Sequence, residues 1–180
     1  VEKLTSPAAK ADTIAHRTAR TIVEHMAEDP AFFKKFSELL QETIQLFRAE
    51  RIKANEYLKR VNTIKEAIVN RTDDDIPLKL QANDTAKAYF GVIKEVLARL
   101  IEDDSSLLER LAELTLSIDR IIEKNRIVDW INDLDIQNKI RNEIEDHLFA
   151  FRDSAYIDLT LGDMDQIMEQ CLNIAKVRRL

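Results

Sequence analysis

Only 2 glycines, 3 prolines and 1 cysteine occur in 180 residues, and each shortage removes a class of protein. A phosphate-cradling loop needs several glycines so that backbone N–H groups can approach the anion. Gly91 and Gly162 alone build neither GxxxxGK[ST] nor GxGxxG, which excludes nucleotide binding by such loops. So few turn formers also argue against the many hairpins of a β-sandwich or barrel. A lone Cys171 excludes an internal disulfide and any multi-cysteine zinc site. It falls on the apolar side of the last expected helix, where a buried thiol is the expected state. Long hydrophobic runs are missing too: none approaches the roughly 18–20 residues that cross a bilayer, and no signal peptide is visible. A cytoplasmic location without membrane contact is the expectation. The first residue is Val rather than Met, so the chain is expected to be processed or cut from something longer.

What is present is helical pattern. Hydrophobic residues are 45% and charged residues 33% of the chain, a globular balance. The length favours one domain. The most informative stretch runs from Lys124 to Phe151. It contains the single tryptophan, Trp130, and an apolar series at Ile136, Ile140, Ile144, Leu148 and Phe151. Steps of four and three place that series along one stripe of a helix, with Gln137 among the residues of a mostly solvated opposite face. A short turn is expected inside it near Asn132–Leu134.

Six further helices are expected around this one. Ser6-Pro7 reads as an N-cap followed by proline at the first helical position. The helix behind it buries Ile14, Ala15, Thr18, Ile22 and Met26. Asp29-Pro30 starts a second, with Phe32, Phe33, Phe36, Leu39, Leu40, Ile44 and Phe47 inward, and a third presents Tyr57, Leu58, Val61, Ile64 and Ile68. The run RTDDDIP, Arg71 to Pro77, is a loop, because Ile76 before proline is pushed toward an extended conformation. Asn83 or Asp84 caps a fourth helix, Asp104 or Ser105 opens a fifth, and Asp163 caps the last, which carries Ile167, Met168, Cys171, Leu172 and Ala175. The fold class is therefore all-α, a single multi-helix bundle of about seven helices over residues 1–180.

Charge is uneven: residues 1–71 balance at +3 and residues 72–180 at −9. A net charge of −6 is a poor prior for a stand-alone nucleic-acid binder. The basic half still offers candidate contacts to DNA or to an acidic partner at Lys34, Lys35, Arg48, Arg51 and Lys53, read chiefly as solvated faces. Catalytic and metal patterns are missing. His16, His25 and His147 form no HExxH and none follows a Glu by three residues. His147 follows Glu143 by four, the spacing of a side-chain pair. EF-hand registers from Asp133 and from Asp73 fail, with Asn138 and Leu78 where glycine is required. The run Asp73-Asp74-Asp75 is expected to cap or pair with a neighbouring helix. No catalytic, cofactor or metal residue is assigned.

Five blocks carry a family resemblance: His16 to Ile52, EYLKRV (Glu56 to Val61), NRTDDDIP (Asn70 to Pro77), NDTAKAYFGVIKE (Asn83 to Glu95) and IVDWINDLDIQNKIRNEIEDHLF (Ile127 to Phe149). In that order they resemble the C-terminal helical region of the R (restriction) subunit of type I restriction–modification enzymes. The resemblance implies a piece of a larger ATP- and Mg-dependent DNA translocase and endonuclease, with the motor lobes and nuclease domain lying N-terminal to it. This chain has no P-loop, helicase box or PD-(D/E)xK core, so no cofactor is expected in it and no catalytic residue carries over. The implied role is docking onto the methyltransferase (M) subunit and M/S core, with the rest of the R subunit as a further partner. Alternatives are contact with translocated duplex DNA and an intramolecular brace for the motor lobes. Tyr57 and Trp130 are candidate interface anchors, weighed against ordinary core packing.

Overall fold

A computed structural model of the chain describes residues 6–73, 75–101 and 106–178. Among the described residues there are eight α-helices and no strand. They are α1 (Pro7–His25), α2 (Pro30–Arg48), α3 (Ala54–Asn70), α4 (Asp84–Val96), the single turn α5 (Ala98–Ile101), α6 (Leu107–Asn125), α7 (Leu134–Ala155) and α8 (Leu161–Arg178), with a 3₁₀ turn at Leu78–Leu80. The all-α expectation holds, and none of these helices is long and apolar enough to cross a membrane. The chain packs as two compact units. One is Val1–Met26 with Pro30–Asp74, and the other is Ala27–Asp29 with Asp75–Leu180.

The first unit is built from α1, α2 and α3. Ser6 caps α1, its hydroxyl accepting from the Ala9 amide at 3.2 Å, with Pro7 at the first helical position. Ala11, Ala15, Thr18 and Ile22 recur at steps of four, three and four, so one face of α1 is buried. Phe32, Phe33, Phe36 and Leu40 do the same for α2, and Tyr57, Val61, Ile64 and Ile68 for α3. Leu39, expected inward, is exposed, because the stripe of α2 passes through Leu40 instead. Aromatic rings fill the centre. Phe32 meets Phe33 edge-on at 5.2 Å, and Phe47 stacks on Tyr57 at 4.4 Å and 11°. Burying each such ring contributes roughly 1.5–3 kcal/mol. Arg71, in the left-handed region at φ 50°, ends α3 and lays its guanidinium 4.7 Å from the Phe33 ring centroid, a cation–π contact.

In the second unit α4 packs against both α6 and α8, and α6 against α7. Asn83, rather than Asp84, is the cap of α4. Its Oδ1 accepts from the amides of Thr85 (3.1 Å) and Ala86 (2.9 Å), while its Nδ2 donates to Asp119 of α6 at 2.8 Å. Contact on two sides explains why Ala86, Ala88, Tyr89, Phe90, Val92 and Ile93 are all buried. The expected start of the next long helix, at Asp104 or Ser105, lies outside the described residues; the observed helix opens at Leu107.

Two expectations need correction. The stretch from Lys124 is not one helix with a short turn at Asn132–Leu134. α6 ends at Asn125, and a chain of tight turns fills 126–133: the Trp130 amide donates to Ile127 O, Asn132 to Asp129 O and Asp133 to Trp130 O. Asp129 takes a left-handed φ of 63°. Asp133 then caps α7, accepting from Asp135 and Ile136 amides. Gln137 is not on a solvated face either. At 4% exposure it is buried, and its amide donates to the Ile131 carbonyl at 2.6 Å. A carbonyl of the turn needed a donor, and Gln137 supplies it.

The last helix also starts differently. The Thr160 hydroxyl accepts from the Asp163 amide at 3.2 Å, and the Asp163 carboxylate accepts from the Thr160 amide at 2.9 Å. This is a reciprocal capping box with Thr160, not Asp163, at the cap. Arg99 of α5 donates to the same Asp163 oxygen at 2.8 Å. Partial burial works against the charge of Asp163, but the Thr160 donors and Arg99 outweigh it and hold the carboxyl below its usual range.

Candidate functional site

The five basic candidates fall into two groups. Lys34 and Lys35 are exposed in the second turn of α2; Arg48, Arg51 and Lys53 are exposed where α2 hands over to α3. Lys35 and Arg48 are separated by about 20 Å along the helix at 1.5 Å per residue. The solvent side of α2 between them carries Glu38 and Glu42. A continuous positive track along α2 is thus interrupted by carboxylates. Lys35 is engaged within its own unit, 2.8 Å from Asp73. Within the second unit, Asp75 lies 3.9 Å from Lys94. Asp73 and Asp75 therefore pair with basic residues on helices, as expected of that acidic run; Asp74 lies outside the described residues.

Tyr57 and Trp130, the anchor candidates, are both buried. The Tyr57 hydroxyl donates to Asp12 at 3.1 Å. Burial, and then that bond, pushes its pKa up to about 12. Trp130 sits under the turn between α6 and α7, at 6% exposure. Both side chains pack inside their own units.

Around Trp130 the sequence reading missed something. Ile127, Val128 and Leu134 are 60%, 96% and 70% exposed. A shallow depression of about 410 Å³ beside them is lined by Val128, Asp129, Asn132, Asp133, Leu134 and Asp135. Three large apolar side chains and three carboxylates thus share one turn. The periodicity had absorbed Ile127 and Val128 into a helix. A usable signal existed: they do not fall on the stripe of Ile136, Ile140 and Ile144. A smaller exposed pair, Tyr156 and Leu161, marks the turn between α7 and α8.

Among the described residues no group of three His, Cys, Asp or Glu side chains is placed to hold a metal. Asp133, the first position of one failed EF-hand register, uses its carboxylate to cap α7. His25 stacks on Phe33, with centroids 6.1 Å apart. His147 Nδ1 bonds the Glu143 backbone carbonyl at 2.9 Å rather than the carboxylate. That carboxylate reaches Lys124 instead, at 3.4 Å. Cys171 is buried on α8, as its position in the apolar stripe predicts, and burial pushes its thiol pKa up. That is the opposite of what a nucleophile requires. Compared with family models, with curated proteins and with solved structures, the chain matches none.

Proposed function

We propose that the chain is a non-catalytic helical assembly module, of the kind its sequence resembles. In this reading it belongs to the R subunit of a type I restriction enzyme and docks that motor and nuclease subunit onto the methyltransferase (M/S) core. ATP and Mg would be handled by other parts of the subunit. The observation that carries the docking reading is the exposed apolar turn between α6 and α7, Ile127, Val128 and Leu134 among Asp129, Asp133 and Asp135. Clustered large apolar side chains with a polar rim are the usual mark of a protein-binding surface. The turn also lies inside the longest block of the resemblance after the first, which ties the surface to the family reading.

Co-elution of the chain with the purified methyltransferase core on a sizing column, with and without duplex DNA, tests this. Docking predicts a shift with the core alone, lost in Val128→Asp and in Leu134→Asp. Both residues are exposed, so folding should survive. The DNA reading is favoured by Arg48, Arg51 and Lys53, three exposed cations within six residues. It predicts a shift only with DNA, falling with salt at a log–log slope of about −0.9 per phosphate contact. No shift under either condition overturns both and leaves a brace for the motor lobes.

A further inference from the structure

The first unit has a groove that its own three helices leave open. α1 and α3 run in the same direction: Tyr57, at the start of α3, meets Asp12, early in α1, whereas Lys65 and Ile68 lie beside Arg17 and Thr21, further along both. Their outer sides enclose a cleft of about 240 Å³ whose apolar lining is Ile14, Ile68 and Val69. Arg17 stands on one wall and Lys65 on the other. Neither cation has a carboxylate partner among the described residues. By contrast Arg20 and Arg60, on the same two helices, are held by Glu24 at 2.7 Å and Glu56 at 2.6 Å. No carboxylate lines the groove.

We propose that this groove receives an acidic amphipathic helix from a partner protein, completing a four-helix arrangement with α1, α2 and α3. The apolar lining takes a stripe of side chains at i, i+3 or i+4, and i+7. Arg17 and Lys65 take a carboxylate on each side of that stripe, which sets the charge of the partner and the seating of its helix. A second copy of the same groove does not fit: two-fold pairing would bring the Arg17 and Lys65 rows against each other with no acid between them. The inference stands on the first unit alone and is independent of what the turn between α6 and α7 meets.

The test uses the full chain and three fluorescein-labelled synthetic helices of about 18 residues, five turns. One has a leucine stripe flanked by Glu, one has Lys in place of those Glu, and one keeps the Glu composition with the stripe scrambled. Anisotropy at near-physiological salt should show the Glu helix binding about tenfold or more tightly than the other two. Arg17→Glu with Lys65→Glu should reverse the order of the Glu and Lys helices. Arg17→Gln with Lys65→Gln should abolish the difference, which serves if the reversed variant loses its circular dichroism. Equal binding of the Glu and Lys helices, no binding of the Glu helix, or an order unchanged by both pairs of substitutions overturns the proposal.

Discussion

Gln137 donates its side-chain amide to the backbone carbonyl of Ile131 at 2.6 Å, so the first turns of α7 hold the turn that precedes them. Gln137→Met keeps the volume and removes the donor. With the part-buried acceptor left without its donor, unfolding free energy should fall by about 1 kcal/mol. Exposed Lys139→Ala, two residues on, should stay within about 0.5 kcal/mol. Urea titrations of the two variants check the pair.

Tyr57 supplies an alkaline prediction. Its folded pKa, near 12, lies above the value of about 10 expected in the unfolded chain. The stability this contributes is complete below about pH 10 and is lost as pH rises toward the folded value. Urea midpoints measured from pH 8 to 11 should fall more steeply for the wild type than for Tyr57→Phe.

Asp163 gives the acidic counterpart. A carboxyl held below its usual range adds stability above the unfolded pKa, and that stability is lost as pH falls through the folded one. Thr160→Ala and Asp163→Ala should each cost about 0.5–2 kcal/mol at pH 7. Because each supports the other's bond, the double variant should cost less than the sum. Asp163→Asn should converge with the wild type in acid, read by thermal melts from pH 3 to 7.

Cys171, buried with a raised thiol pKa, should resist a thiol reagent such as DTNB in the native protein and react promptly in denaturant. The native labelling rate then reports the opening of α8. Labelling as fast as in the unfolded chain would show that the thiol is accessible.

How much of this was legible can be read residue by residue. The stripes of α1, α3 and α8 follow from side-chain period alone, because a helix that buries one face must repeat at three or four. Ser6 was readable as a cap because its hydroxyl answers amides within its own turn. Gln137 was not: a buried amide next to an apolar stripe looks the same in sequence as a solvated one until the Ile131 carbonyl is known. Thr160 and Asp163 are both good caps, and only the bonds between them decide which one holds the position. Which helices share a unit was not legible for a related reason. A stripe tells that a helix has a covered face, never which helix covers it. The exposed turn beside Trp130 was hidden because Ile127 and Val128 read as part of one helix with the stripe that follows.

The packing of α4 bears on the order of folding during synthesis. The helices of the first unit are all available once Asn70 has been made. α4, by contrast, packs on both α6 and α8, and α8 does not begin until Leu161. On the ribosome, then, the first unit can close while Phe90 and Ile93 still wait for one wall of their surroundings. A chain cut before Leu161 would therefore leave the first unit whole and strip α4 of one of its two walls.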